Sequence, residues 1–172
     1  MHEHMPANQT IGDADWRAPS RSASKLLIGL GAGAVTAAAS LGMLLGFGRR
    51  YSTLWRPLNA AAHVIIGARA DGVWGFQFDV TPMGGAVVLV VSTMAGVVIA
   101  QLTSSRRTLH SALAAFGMAL AGYLAHVHIV ARTPAGLAAL LTVGELRALY
   151  ATGAIALVIG MRYAFSPSAE AS

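Results

Sequence analysis

The sequence predicts an all-α integral membrane protein: a four-helix bundle with an amphipathic interfacial segment between its first and second spans. Three observations carry that expectation. The run from Leu26 to Phe47 holds no charged residue and lies between Lys25 and Arg49-Arg50. At about 1.5 Å per residue it covers the roughly 30 Å hydrocarbon core of a bilayer. Three further apolar stretches follow, separated by basic residues. The whole chain is 55% hydrophobic and only 11% charged, whereas a soluble domain has about a quarter of its residues charged.

Residues 1–24 carry Pro6, Pro19 and many polar side chains without a hydrophobic period, which predicts a disordered tail. His2 and His4 lie in that tail and read as incidental. Span one is expected at about 26–47. Leu26–Val35 followed by Ala37-Ala38-Ala39 could be a secretory leader with its cleavage site, but the apolar run continues to Phe47 and favours a retained span. Gly29 and Gly33 stand four apart, and Ala34, Ala38, Gly42 and Gly46 repeat the interval. Such small residues let a neighbouring helix approach closely, so Gly29, Gly33, Gly42 and Gly46 are expected at helix contacts, with Gly96 on span two.

The connection from Gly48 to Thr81 is more varied. Pro57 can open a short helix with Leu54, Leu58, Ala61 and Ile65 on one side and Arg56, Asn59 and His63 on another, a pattern suited to the headgroup layer. Trp74, Phe76 and Phe78 then alternate with Gly75, Gln77 and Asp79, a period of two that predicts an extended segment with an apolar face. Span two is expected at about 83–103, with Asp79 or Thr81 as N-cap and Pro82 just inside. Span three is expected at about 109–131, with Gly117, Ala121 and Ala125 at four-residue spacing.

Glu145 and Arg147 interrupt the last apolar stretch, and charges at mid-bilayer cost about 3 kcal/mol each on insertion scales. Thr142-Val143-Gly144-Glu145 fits a capping box, so span four is expected to begin there and run over about 143–165, after a short helical approach from Thr133 to Leu141. The membrane domain therefore covers 25–165, with a short tail at 166–172. Four spans put both termini on one side. Basic residues divide six against six between the two sides: Arg17, Arg21, Lys25, Arg106, Arg107 and Arg162 against Arg49, Arg50, Arg56, Arg69, Arg132 and Arg147. The positive-inside rule is thus silent. Cytoplasmic termini are expected because the polar tail then need not cross the membrane.

The net charge of +5 reflects twelve basic residues against seven acids, placed beside the apolar runs as membrane-edge anchors. No soluble face gathers them, which argues against nucleic acid as a partner. The absence of cysteine excludes disulfide exchange, iron–sulfur ligation and thiolate zinc sites. No Gly-x-Ser-x-Gly elbow, His-Glu-x-x-His helix or lysine-bearing phosphate loop occurs, and Gly29-Leu30-Gly31-Ala32-Gly33 lies within a span, where a dinucleotide fingerprint has no meaning.

Pro57-Leu58-Asn59-Ala60, with His63 four residues beyond the asparagine, then Gly67 and Arg69-Ala70 ahead of a span, resembles a pattern in small bacterial four-span inner-membrane proteins. The similarity covers residues 56–103. Ala62 and Val64 stand where those proteins place a serine and a tryptophan around the histidine. That resemblance implies a multi-pass location in a bacterial inner membrane and carries no activity with it.

Functionally, the sequence favours a non-catalytic accessory, assembly or scaffold subunit whose partners are the lipid bilayer and other membrane proteins or copies of itself. The alternative is a haem or pigment held by His63 with His126 or His128. His126 and His128 are roughly 200° apart on a regular helix and cannot chelate one ion, so no metal site is expected. A transporter using Glu145, Arg147, His126 and Gln101 is a third reading, set against the simpler one of Asn59, Glu145 and Arg147 as interfacial polar residues.

Overall fold

The computed structural model describes residues 21–103, 108–128 and 135–165. Among the described residues six α-helices follow one another: α1 (Arg21–Gly48), α2 (Arg56–Ile66), α3 (Thr81–Leu102), α4 (Thr108–His128), α5 (Gly136–Leu140) and α6 (Val143–Phe165). Short 3₁₀ turns at Arg49–Tyr51 and Gly67–Ala70 flank α2. Four of these helices are long and apolar enough to cross a membrane, over Ser24–Tyr51, Thr81–Leu102, Leu109–His128 and Val143–Tyr163. This is a multi-pass, all-α membrane bundle.

Helix α1 begins at Arg21, four residues inside the stretch expected as a tail. Its 28 residues extend about 42 Å, longer than the roughly 30 Å hydrocarbon core. Residues 1–20 and 166–172, the two arginines at 106 and 107, and the approach at 133–134 lie outside the described residues, as does the expected end of span three beyond His128.

Helix α1 is the centre of the bundle. One side packs on α3 and another on α6, α4 packs on α6, and α3 and α4 scarcely touch although they are consecutive in the chain. The α1–α3 contact is backbone on backbone. A Cβ added to Gly29 would lie 2.6 Å from the Cα of Val97, and one on Gly33 would lie 2.5 Å from the Cα of Thr93. Gly96 is pressed in turn against the Gly29 carbonyl and the Gly33 backbone. The α1–α6 contact is similar, with a Cβ on Gly160 falling 2.7 Å from the Cα of Ala32.

Gly42 and Gly46 correct the expectation made for them: both have open space beside them and face away from the contact. The four-residue spacing shifts by one position at Ala34, and Gly42, nine residues after Gly33, is turned about half a revolution around the axis. Ala34, Ala38, Gly42 and Gly46 form a second, outward face.

Three clusters fill the interior. Ala32, Ile99, Ala100, Ala115, Leu157 and Met161 close the end of the bundle where α3 and α4 are joined. Leu44, Leu58, Leu141 and Leu146 pack at the other end, and Ala62, Ala70, Val73 and Val80 hold the first connection together. Helices α2 and α5 and the chain around 67–80 form a cap on that second end.

Replacing Gly33 with leucine should lower stability by about 1–3 kcal/mol or more, since the opposing backbone cannot retreat as a side chain would. Gly42→Ala should leave stability within about 0.5 kcal/mol of the parent. Thermal unfolding of the detergent-solubilised protein, followed by size-exclusion recovery after heating, separates the two.

Candidate functional site

The polar chemistry of the described residues gathers in the cap. Asn59 lies on the inward side of α2 and is completely buried. Its Nδ2 donates to the carbonyls of Val73 at 3.1 Å and Gly75 at 2.8 Å, while its Oδ1 accepts from the Thr81 hydroxyl at 2.7 Å. The Thr81 hydroxyl accepts in turn from the Gln77 backbone N–H at 3.0 Å. One amide thus ties α2, the aromatic loop and the start of α3 together. Arg56 donates to the Val73 carbonyl at 3.2 Å and lies 4.9 Å over the Trp74 ring.

The structure corrects three expectations. Asn59 is not an exposed interfacial group: the helix turns its polar side towards carbonyls that would otherwise be stranded, leaving Val64 and Ile65 exposed. Neither Asp79 nor Thr81 caps α3, because Asp79 pairs with Arg69 and the Thr81 hydroxyl is committed to Asn59. The residue before the helix is Val80, without a side-chain cap. The loop of alternating aromatics forms no strand. Its rings stack instead, with Phe76 5.1 Å from both Trp55 and Phe78 in edge-to-face contacts, and Trp74, Phe76 and Phe78 remain exposed.

Glu145 is 7% exposed and serves two purposes. Its Oε2 accepts from the backbone N–H and hydroxyl of Thr142, both at 2.9 Å, while its own N–H donates to the Thr142 hydroxyl at 3.3 Å. That reciprocal pattern is the capping box legible in the sequence. Its Oε1 accepts from the Arg50 guanidinium at 2.7 Å, joining the end of α1 to the start of α6. Nearby, the Tyr51 hydroxyl donates to the Leu140 carbonyl. Arg147 is exposed, its Nε donating to the Tyr123 hydroxyl at 3.1 Å and its guanidinium 5.9 Å from that ring.

The three histidines singled out by sequence occupy different settings. His63 meets Asp71 at 2.9 Å, and Asp71 also accepts from the Gly136 N–H at 3.1 Å. Gly136 has φ of +64°, and a Cβ there would come within 3.1 Å of the Ala60 carbonyl and the His63 Cβ. His63 is therefore a link between α2 and α5. His126 faces the bundle with its Nδ1 3.3 Å from the Tyr150 hydroxyl, and its enclosed Nε2 has no partner among the described residues. His128 is exposed at the end of α4. Among the described residues no three His, Cys, Asp or Glu side chains converge as metal ligands would.

Beneath the cap lies a cavity of about 360 Å³. Val87, Val88, Val91 and Ala95 of α3 form one wall, and Ala115, Met118, Ala119 and Gly122 of α4 the other. Helices α1 and α6 supply the floor, through Thr36, Ser40 and Leu44 and through Gly153, Ala154 and Leu157. Ala61 and Val64 of α2 and Leu137 of α5 roof it, with His126 and Tyr150 at the same end. The cleft exists because α4 is anchored to α6 while α3 is anchored to α1, and the seam between them closes only near Ile99 and Ala115. Sequence reasoning missed this cleft. The four-residue spacing read on α4, Gly117, Ala121 and Ala125, does not mark it, since none of those three residues lines the cleft.

No protein-family model matches the chain, and no curated protein or solved structure shows significant similarity to it.

Asn59→Ala should destabilise the protein by at least about 2 kcal/mol, because the Val73 and Gly75 carbonyls and the Thr81 hydroxyl lose a buried partner. Glu145→Ala should cost about 1–2 kcal/mol through loss of the capping box, with little added by Arg50, which retains access to water. Thermal unfolding of the two variants, compared with a Lys25→Ala control, checks both.

Proposed function

We propose that this chain is a non-catalytic accessory, assembly or scaffold subunit of a larger membrane complex. The supporting observation is the fate of its acids. Among the described residues each carboxylate has a basic partner: Asp71 with His63, Asp79 with Arg69, and Glu145 with Arg50. Asp71 and Glu145 bind connections to helices in the cap, and the exposed Asp79 pair lies within the first connection. A general acid or base, or a relay for ions, needs a carboxylate that can gain and lose a proton without loosening the fold. With the acids engaged in holding the cap, the remaining work falls to apolar surfaces presented to neighbours in the membrane.

We place the protein in a bacterial inner membrane with its termini in the cytoplasm and the cap on the opposite side. The polar N-terminal segment then stays where it is made, and the exposed aromatics Trp74, Phe76 and Phe78 lie where rings of mixed character are favoured, at the outer headgroup boundary.

Two measurements test this. After extraction in a mild detergent the protein should migrate on native electrophoresis with a larger assembly, and a lone monomer would overturn the accessory reading. Since the chain has no cysteine, single-cysteine variants report sidedness cleanly. Gln77→Cys should react with a membrane-impermeant maleimide in intact spheroplasts, and His110→Cys only after permeabilisation. The reverse pattern would invert the orientation.

A further inference from the structure

The cleft between α3 and α4 has a shape, a route of access and one polar end, and together these specify an occupant. Both walls are membrane-crossing helices, and their sparse contact leaves the opening facing sideways between them. A molecule dissolved in the bilayer can reach it directly. Along α1 the floor runs from Leu44 to Thr36, eight residues or roughly 12 Å, so the space is elongated across the membrane from the cap towards the bilayer centre.

Its volume of about 360 Å³ lies at the small end of ligand sites. A helix is about 10 Å across, and even ten residues of one would fill roughly 1,200 Å³, so a partner helix does not fit. A single flexible chain does. The Tyr150 hydroxyl and the His126 imidazole stand at the cap end, where the headgroup layer begins. With the proton on Nδ1, the imidazole donates to the phenol oxygen and leaves the phenol hydrogen free for an acceptor in the cleft. Lower down, Ser40 and Ser92 are set among small side chains on facing helices, and the Thr36 hydroxyl is already used, donating to the Ala32 carbonyl at 2.9 Å.

We propose that this cleft binds a single-chain amphiphile. Its oxygen-bearing head accepts a hydrogen bond from Tyr150 beside His126, and its apolar chain runs between α3 and α4 past Ser92. A fatty acyl chain and the tail of an isoprenoid quinone both present this chemistry. The site is independent of whether the protein joins a larger complex, since nothing in it requires a second protein.

The test is photolabelling of the full-length protein in its own membranes with a palmitic acid carrying a mid-chain diazirine, followed by peptide mapping. Label should concentrate in α3 and α4 around residues 87–95 and 115–126. Tyr150→Phe should reduce that labelling about two- to tenfold, the effect of one lost hydrogen bond. Ala119→Phe fills the cleft and Val91→Trp obstructs its rim from an exposed position, so each should nearly abolish labelling. Should Ala119→Phe fail to fold, Val91→Trp carries the comparison. Competition by unlabelled palmitate supports an acyl occupant, and competition by a short-tailed quinone supports a quinone in the same cleft. Label distributed evenly over the lipid-facing side chains of all four spans, and unaltered by these variants, would overturn the proposal.

Discussion

The backbone contact between α1 and α3 is the constraint on which the rest of this bundle depends. In lipid, burying one apolar side chain against another offers little over burying it in acyl chains, so association relies on close packing and on polar groups that need partners. Gly29, Gly33 and Gly96 supply the first by bringing two backbones into direct apposition. Gly160 against Ala32 repeats the device between α1 and α6. With α1 held on two sides, α4 attaches through α6, and the seam between α3 and α4 is left without a comparable contact. The cleft is the geometric consequence of where the chain placed its glycines.

Polar groups supply the second source of cohesion, and they are concentrated where the helices end. Asn59 satisfies two carbonyls and a hydroxyl, Glu145 closes a helix start and holds Arg50, and Asp71 bridges His63 and the Gly136 N–H. A buried amide or carboxylate near hydrocarbon is costly when any of its bonds is missing. Each of these groups therefore binds the connection that completes its set, and the cap is rigidly seated on the bundle. This arrangement closes one end of the cleft while leaving its flank open to the bilayer.

The outward face of α1, with Ala34, Ala38, Gly42 and Gly46, shows how a sequence stripe can divide. Small residues at every fourth position look continuous along the chain. On a helix of 3.6 residues per turn, the one-residue break at Ala34 sends the second half to the opposite side. Only the first half meets a partner helix within the bundle.

The sequence by itself determined the number of spans, the small-residue surfaces Gly29, Gly33 and Gly96, and the capping box at Thr142 and Glu145. These are set by local quantities: the length of an apolar run, residue size at fixed spacing, and hydrogen bonds within one turn. Only the tertiary structure decided that Asn59 points inward, that His63 and His126 serve different neighbours, and that α3 and α4 stay apart. Those outcomes depend on which faces of distant helices meet, and helical periodicity specifies a face without specifying what lies across from it.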